Sequence, residues 1–94
     1  MFSSNRYMTK GIKEEIPLQI QIYLWGLIDN LPEPKDYLQV FQLSDFEGKQ
    51  KIIHKQEVPE YSVEYLILCE SPITKKIFVI DDETHCTMLL ASEY

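Results

Sequence analysis

Residues Glu14 to Leu31 read EEIPLQIQIYLWGLIDNL, and they admit two interpretations. Ile20, Leu24, Leu27, Ile28 and Leu31 recur at spacings of four and three, which is one apolar stripe on a helix, and Trp25 widens it. Leu18, Ile20, Ile22 and Leu24 also alternate with Gln19, Gln21 and Tyr23, which is the period of a strand. Length chooses between them, because the stretch exceeds an ordinary strand. One amphipathic helix is therefore expected over about 15–30. Pro17 suits its first turn, where a missing N–H costs nothing, and Glu14 and Glu15 suit the positive end of its dipole. Pro32 stops it by restricting Leu31.

Beyond Pro34 the texture changes to short β-rich runs between turns. Strands are expected at about 36–44, 49–57, 62–70, 75–81 and 85–91, with Arg6 to Lys10 as a further short edge strand. Neighbouring runs joined by short turns predict an antiparallel meander of five or six strands. With one amphipathic helix packed on one face, the chain reads as an α+β protein, a single domain over 1–94. The last three strands are apolar on both faces, unlike a half-solvated sheet. Their second face is expected to meet a loop, a partner or another copy of the chain. In a meander the 75–81 strand separates the strands of Cys69 and Cys86 by about 10 Å, so two free thiols are expected.

The charge is uneven. Residues 1–55 hold seven bases and seven acids, whereas residues 56–94 hold two bases and eight acids, so the whole net charge of −6 lies in the second part. Nucleic-acid affinity rests on Lys and Arg neutralising phosphates, so direct DNA or RNA binding is disfavoured. A partner with a basic surface would be attracted instead, although the same charge also serves solubility. No apolar run approaches the ~20 residues of a membrane span, and no apolar segment opens the chain as a signal would. A cytoplasmic location is the expectation.

The densest polar cluster is Asp81, Asp82, Glu83, Thr84 and His85. Its carboxylates and imidazole have the chemistry to hold a hard divalent cation or to act as acid and base. The plainer interpretation is a hairpin turn, since Asp side chains bond local backbone and strand alternation parts Asp81 from Asp82. His54 alternates with Ile53 and reads as a half-exposed strand residue. No zinc-type ligand spacing, nucleophile elbow or glycine-rich phosphate loop occurs, and the chain has only three glycines. An enzyme is therefore disfavoured, no cofactor is implied, and catalytic and metal residues are assigned to none. Aromatic and acidic residues interleave at Glu57, Glu60, Tyr61, Glu64, Tyr65 and Glu70, with Tyr61 and Tyr65 as candidate interface anchors.

Several stretches carry a resemblance: Arg6-Tyr7-Met8-Thr9-Lys10-Gly11, Glu15-Ile16-Pro17, Trp25-Gly26-Leu27-Ile28-Asp29, Asp36-Tyr37-Leu38-Gln39-Val40-Phe41, Lys51-Ile52-Ile53-His54, Lys76-Ile77-Phe78-Val79-Ile80-Asp81-Asp82 and the ending Thr87-Met88-Leu89-Leu90-Ala91. Together they are similar to a family of small proteins of unknown function from staphylococci and related Gram-positive bacteria. The resemblance implies a stand-alone cytoplasmic protein, with an association with mobile elements, and brings no activity or site residues. The leading functional expectation is a non-enzymatic protein-binding or regulatory module, with a homodimer among its forms. Two alternatives stand beside it. One is a DNA mimic that occupies the basic groove of a DNA-processing enzyme. The other is a small metal-dependent enzyme built on Asp81 to His85.

Overall fold

The computed structural model describes all residues from Met1 to Tyr94. The helix expected over about 15–30 starts only after Pro17, and a short helix that was not expected precedes it. The residue before a proline is pushed out of helical space, and Ile16 is extended at φ −112° and ψ 117°. Helix α1 (Lys10–Glu15) ends there, and α2 (Leu18–Asp29) starts afresh with Pro17 as its cap. Glu14 and Glu15 thus close α1 rather than open the long helix. Lys10, expected to end an edge strand, opens α1 instead, because the Thr9 hydroxyl accepts from the Ile12 N–H at 3.4 Å.

On α2, Ile20, Leu24 and Ile28 are buried as the stripe requires, and Leu31 beyond it is buried too. Leu18 and Ile22, which made the strand pattern plausible, face solvent at 62% and 61% exposure. No helix is long and apolar enough to cross a membrane.

Six strands make one sheet: β1 (Asn5–Met8), β2 (Leu38–Phe46), β3 (Lys49–Gln56), β4 (Tyr61–Ile67), β5 (Lys75–Asp81) and β6 (His85–Leu90). A single 3₁₀ turn, Ala91–Glu93, follows β6. The class is α+β with two helices and a mostly antiparallel sheet, but the meander is not what forms. The order is β1-β6-β5-β2-β3-β4, and β1 runs parallel to β6. β5 passes over β4 and pairs with β2, Leu38 facing Ile80 and Gln42 facing Lys76.

Burial explains the exchange. β5 is apolar on both faces and takes a central place, while β4, with Ser62 and Glu64 on one face, goes to the edge. The β2–β3 hairpin turns through Glu47 and Gly48, both at positive φ (52° and 82°). That matches the right-handed twist of a two-residue hairpin, and Gly48 takes its angle without a Cβ clash.

The core lies between the helices and one face of the sheet. Phe2, Ile12, Ile16, Ile20, Leu24 and Ile28 close over Phe41, Leu43, Ile52, Ile77, Val79, Cys86, Met88 and Leu90. His54 belongs to this inner face and is fully buried, not half-exposed. Its register partners are Phe41 and Val63, so alternation within β3 sends it inward with Ile52. Both cysteines are free, Cys86 on β6 and Cys69 just past β4, with three strands between β6 and β4 in the sheet order.

Candidate functional site

The acidic, tyrosine-bearing stretch singled out in the sequence becomes the edge strand β4, and alternation divides its residues. Tyr61, Val63, Tyr65 and Ile67 turn inward and are half-buried, whereas Ser62, Glu64 and Leu66 are exposed on the other face. Glu57 and Glu60 sit on the exposed turn before β4 and Glu70 on the exposed segment after it. Tyr61 and Tyr65 therefore do not share a face with Glu64. They meet each other, hydroxyl to hydroxyl at 3.2 Å, and Tyr65 stands edge-on to Tyr23 of α2 at 6.3 Å. The hydrogen bond to Tyr61, with burial, pushes the Tyr65 phenol up to about 12. Tyr65 is therefore not set up as a phenolate base.

Tyr23 and Tyr65 mark a seam along which α2 lies beside the sheet edge. At the Ile67 end, a cleft of about 630 Å³ opens between Pro17, Ile20 and Tyr23 on the helix side and Ile67, Leu68 and Cys69 on the strand side. Leu68 is 87% exposed at its mouth. At the Tyr61 end, a smaller cleft of about 250 Å³ lies between Leu31–Pro34 and Pro59–Tyr61. The chain from Gln56 to Thr74 carries four glutamates and no Lys or Arg, and α2 carries no Lys or Arg either. β4 pairs only with β3, so its outer backbone groups have no strand partner.

Behind the seam runs a buried polar chain that sequence reasoning missed. His54 Nε2 and Gln39 Oε1 are 2.7 Å apart. The Gln39 amide donates to Gln56 Oε1 at 2.7 Å and to the Asp36 carbonyl at 2.9 Å. Those donations orient the Gln39 amide so that its oxygen faces the ring; His54 Nε2 therefore carries the proton. Nδ1 is left buried with no partner. Burial holds the imidazole pKa down to about 4, the neutral form this geometry needs. Stacked on Phe41 at 4.4 Å and edge-on to Tyr61 at 5.3 Å, the ring is out of reach of substrate.

The chain ends at Asp36. Its carboxylate accepts from the Leu38, Glu57 and Val58 N–H groups at 3.2, 3.2 and 2.9 Å, tying the turn before β4 to the start of β2. Desolvation works to raise the Asp36 pKa, and the backbone N–H bonds outweigh it, so the group stays below its ordinary value. One signal was available in the sequence: Gln39, Phe41, Ile52, His54 and Gln56 share an alternating register, which places the glutamines inside with the apolar residues.

Asp81, Asp82, Glu83 and His85 come together only as a turn. Asp81 points inward and is buried, accepting from the Phe2 N–H at 2.7 Å and the Glu83 N–H at 2.8 Å. Asp82 Oδ1 accepts from the Thr84 and His85 N–H groups at 3.0 and 2.9 Å, and its other oxygen lies 3.3 Å from His85 Nε2. The His85 backbone N–H foremost lowers the Asp82 pKa. Glu83 takes a positive φ of 79° at the tip. Both Asp81 oxygens and Asp82 Oδ1 are committed to the backbone, and no three metal-binding side chains converge anywhere in the molecule.

A family model described as staphylococcal protein of unknown function (DUF960) matches residues 5–93. A crystal structure of a protein of unknown function from Enterococcus faecalis superposes with a TM-score of 0.85, covering 97% of this chain and 91% of that one at 24% identity. At that identity the likeness is one of fold. No curated protein matches the sequence.

Proposed function

We propose that this chain, which belongs to the family of staphylococcal proteins of unknown function, is a protein-binding module that takes an extended, basic and apolar segment of a partner along the free edge of β4. The observation that carries the reading is a seven-residue edge strand without Lys, Arg or Pro, walled by α2 and flanked by a cleft at either end. Natural sheets blunt their edges with lysine, proline or short strands, and β4 uses none of these. An added strand would draw main-chain hydrogen bonds from the edge and place alternate side chains in the seam. Glu57, Glu60, Glu64 and Glu70 ring this edge, only Glu64 among them held in an ion pair, with Lys51, which favours Lys or Arg on the partner. Self-pairing is disfavoured, because an antiparallel pair centred on Glu64 would set two glutamates face to face.

Selection from a displayed library of random peptides tests this. The expected winners alternate apolar with basic residues and perturb the backbone amides of β4 on titration. N-methylation at alternate positions of a winning peptide should abolish binding by removing its ladder donors. Replacing the four glutamates by glutamine should slow association and flatten its salt dependence. Winners that leave the β4 amides untouched would refute the proposal.

A further inference from the structure

The solvent face of the sheet has a charge that the linear sequence conceals. Following the strand registers, its outward positions include Lys49, Lys51 and Lys55 on β3, Lys76 on β5, and Glu64 on β4 as the one acid. Four lysines against one glutamate give +3 on this face, within a chain of net −6. Only Lys51 among them is paired, with Glu64 at 3.5 Å. Between the lysines lies an apolar floor. Val40 is in register with Phe78 and Phe78 with Leu89, and Leu38 with Ile80, all buried or half-buried. Neither α1 nor α2 covers it, since their buried residues lie in the core on the other face, and the exposed Tyr94 ring stands edge-on to Phe78 at 5.6 Å at its β6 side.

We propose that this open face is a second docking surface, and that its occupant is an acidic amphipathic helix of another protein laid along β2. Lys55 and Lys76 stand on the two strands that flank β2, and both line a cleft of about 680 Å³ whose floor includes Leu38 and Val40. Two strand spacings are about 10 Å, the width of one helix with its side chains. A helix with an apolar stripe on Leu38, Val40 and Phe78 would carry its carboxylates out to Lys55 on one side and Lys76 on the other. Glu57 and Glu60 close one end of the cleft, so the helix presents its positive N-terminal end there. A nucleic acid fits the face less well. Lys51 sits over the Phe46 ring at 5.4 Å and Lys76 over the Phe78 ring at 5.6 Å, so the aromatic faces that bases would stack on carry cations. A second copy is disfavoured by the net charge of −6 on each chain.

The probe is a synthetic helix of about 18 residues, long enough to span β2, with leucine at i, i+3, i+4 and i+7 and glutamate on both flanks. Its scrambled isomer and oligothymidylate serve as competitors, and the protein is labelled at its methyl groups. Saturable binding that shifts Leu38, Val40, Ile80 and Leu89 is the expected result. The double substitution Lys55→Glu and Lys76→Glu should weaken it by about tenfold or more, with unchanged melting because both side chains are exposed. Equal binding of the scrambled isomer, tighter binding of oligothymidylate at the same face, or shifts confined to β4 would each overturn the proposal.

Discussion

β1, at one edge of the sheet, is four residues long with no buried residue, whereas β4, at the other, is seven residues long and half-buried on one face. β1 is clamped from several sides. Arg6 lies over the Trp25 ring at 4.5 Å and pairs with Asp29, whose pKa that hydrogen bond lowers. The carboxylate of Glu93 accepts from the Thr9 hydroxyl at 2.6 Å and from the Gly11 and Leu90 N–H groups. A Cβ at Gly11 would fall 2.6 Å from that carboxylate, so glycine permits the clasp. Beneath the strand, Phe2 plugs the core at 1% exposure. β4 has no such clamp on its outer side, and it rests on the buried glutamine–histidine chain. A short edge tied by side chains offers few ladder positions to a stranger, while a long untied edge offers many. The proposed docking at β4 rests on this difference in length and tethering.

Phe2→Ala should cost ~3–5 kcal/mol in urea unfolding if the N-terminal plug anchors the β1 side, as for other buried phenylalanines. A loss under ~1 kcal/mol would remove that anchor from the account.

His54 tests the β4 side. Its neutral form is favoured in the fold, with a pKa near 4 against an ordinary 6.5. Below pH 6.5 the unfolded chain takes up a proton that the native chain refuses. Stability should fall by ~3 kcal/mol between those two values and then level off as native His54 titrates. His54→Leu should abolish this slope, and a wild-type profile flat over the same window would show that the ring is not held neutral. Asp29 and Asp36 act in a separate window, since their lowered pKa values give stability that is lost only as pH falls below the ordinary 3.8.

Arg6→Ala removes a cation–π contact and a half-exposed ion pair, so a thermal melt should report a loss of about 1 kcal/mol. No change would leave β1 held by the Glu93 clasp alone. The smallest effect belongs to Glu64→Lys, which breaks the exposed pair with Lys51 and should shift stability by under ~0.5 kcal/mol. The same substitution should weaken any basic peptide bound at β4, so stability and binding separate at one residue.

Periodicity is a local property, and the features it governs were legible in the sequence. The stripe of Ile20, Leu24, Ile28 and Leu31, the mixed α and β class, and the 75–81 strand all follow from spacing along the chain. The break at Ile16 was legible in principle as well, because Pro17 acts on its immediate neighbour. Strand order was not, because backbone hydrogen bonds are the same for every residue and carry no record of which strand lies alongside. β5 passes β4 to lie beside β2, where Ile77 and Val79 join the core, and only that order gathers Lys49, Lys51, Lys55 and Lys76 on one face and leaves β4 at the edge. Which residues alternate, and which recur every third or fourth place, is written along the chain. Which side each alternation faces depends on packing, because burial is settled between segments distant in the chain, as His54 against Phe41 and Gln39 makes plain.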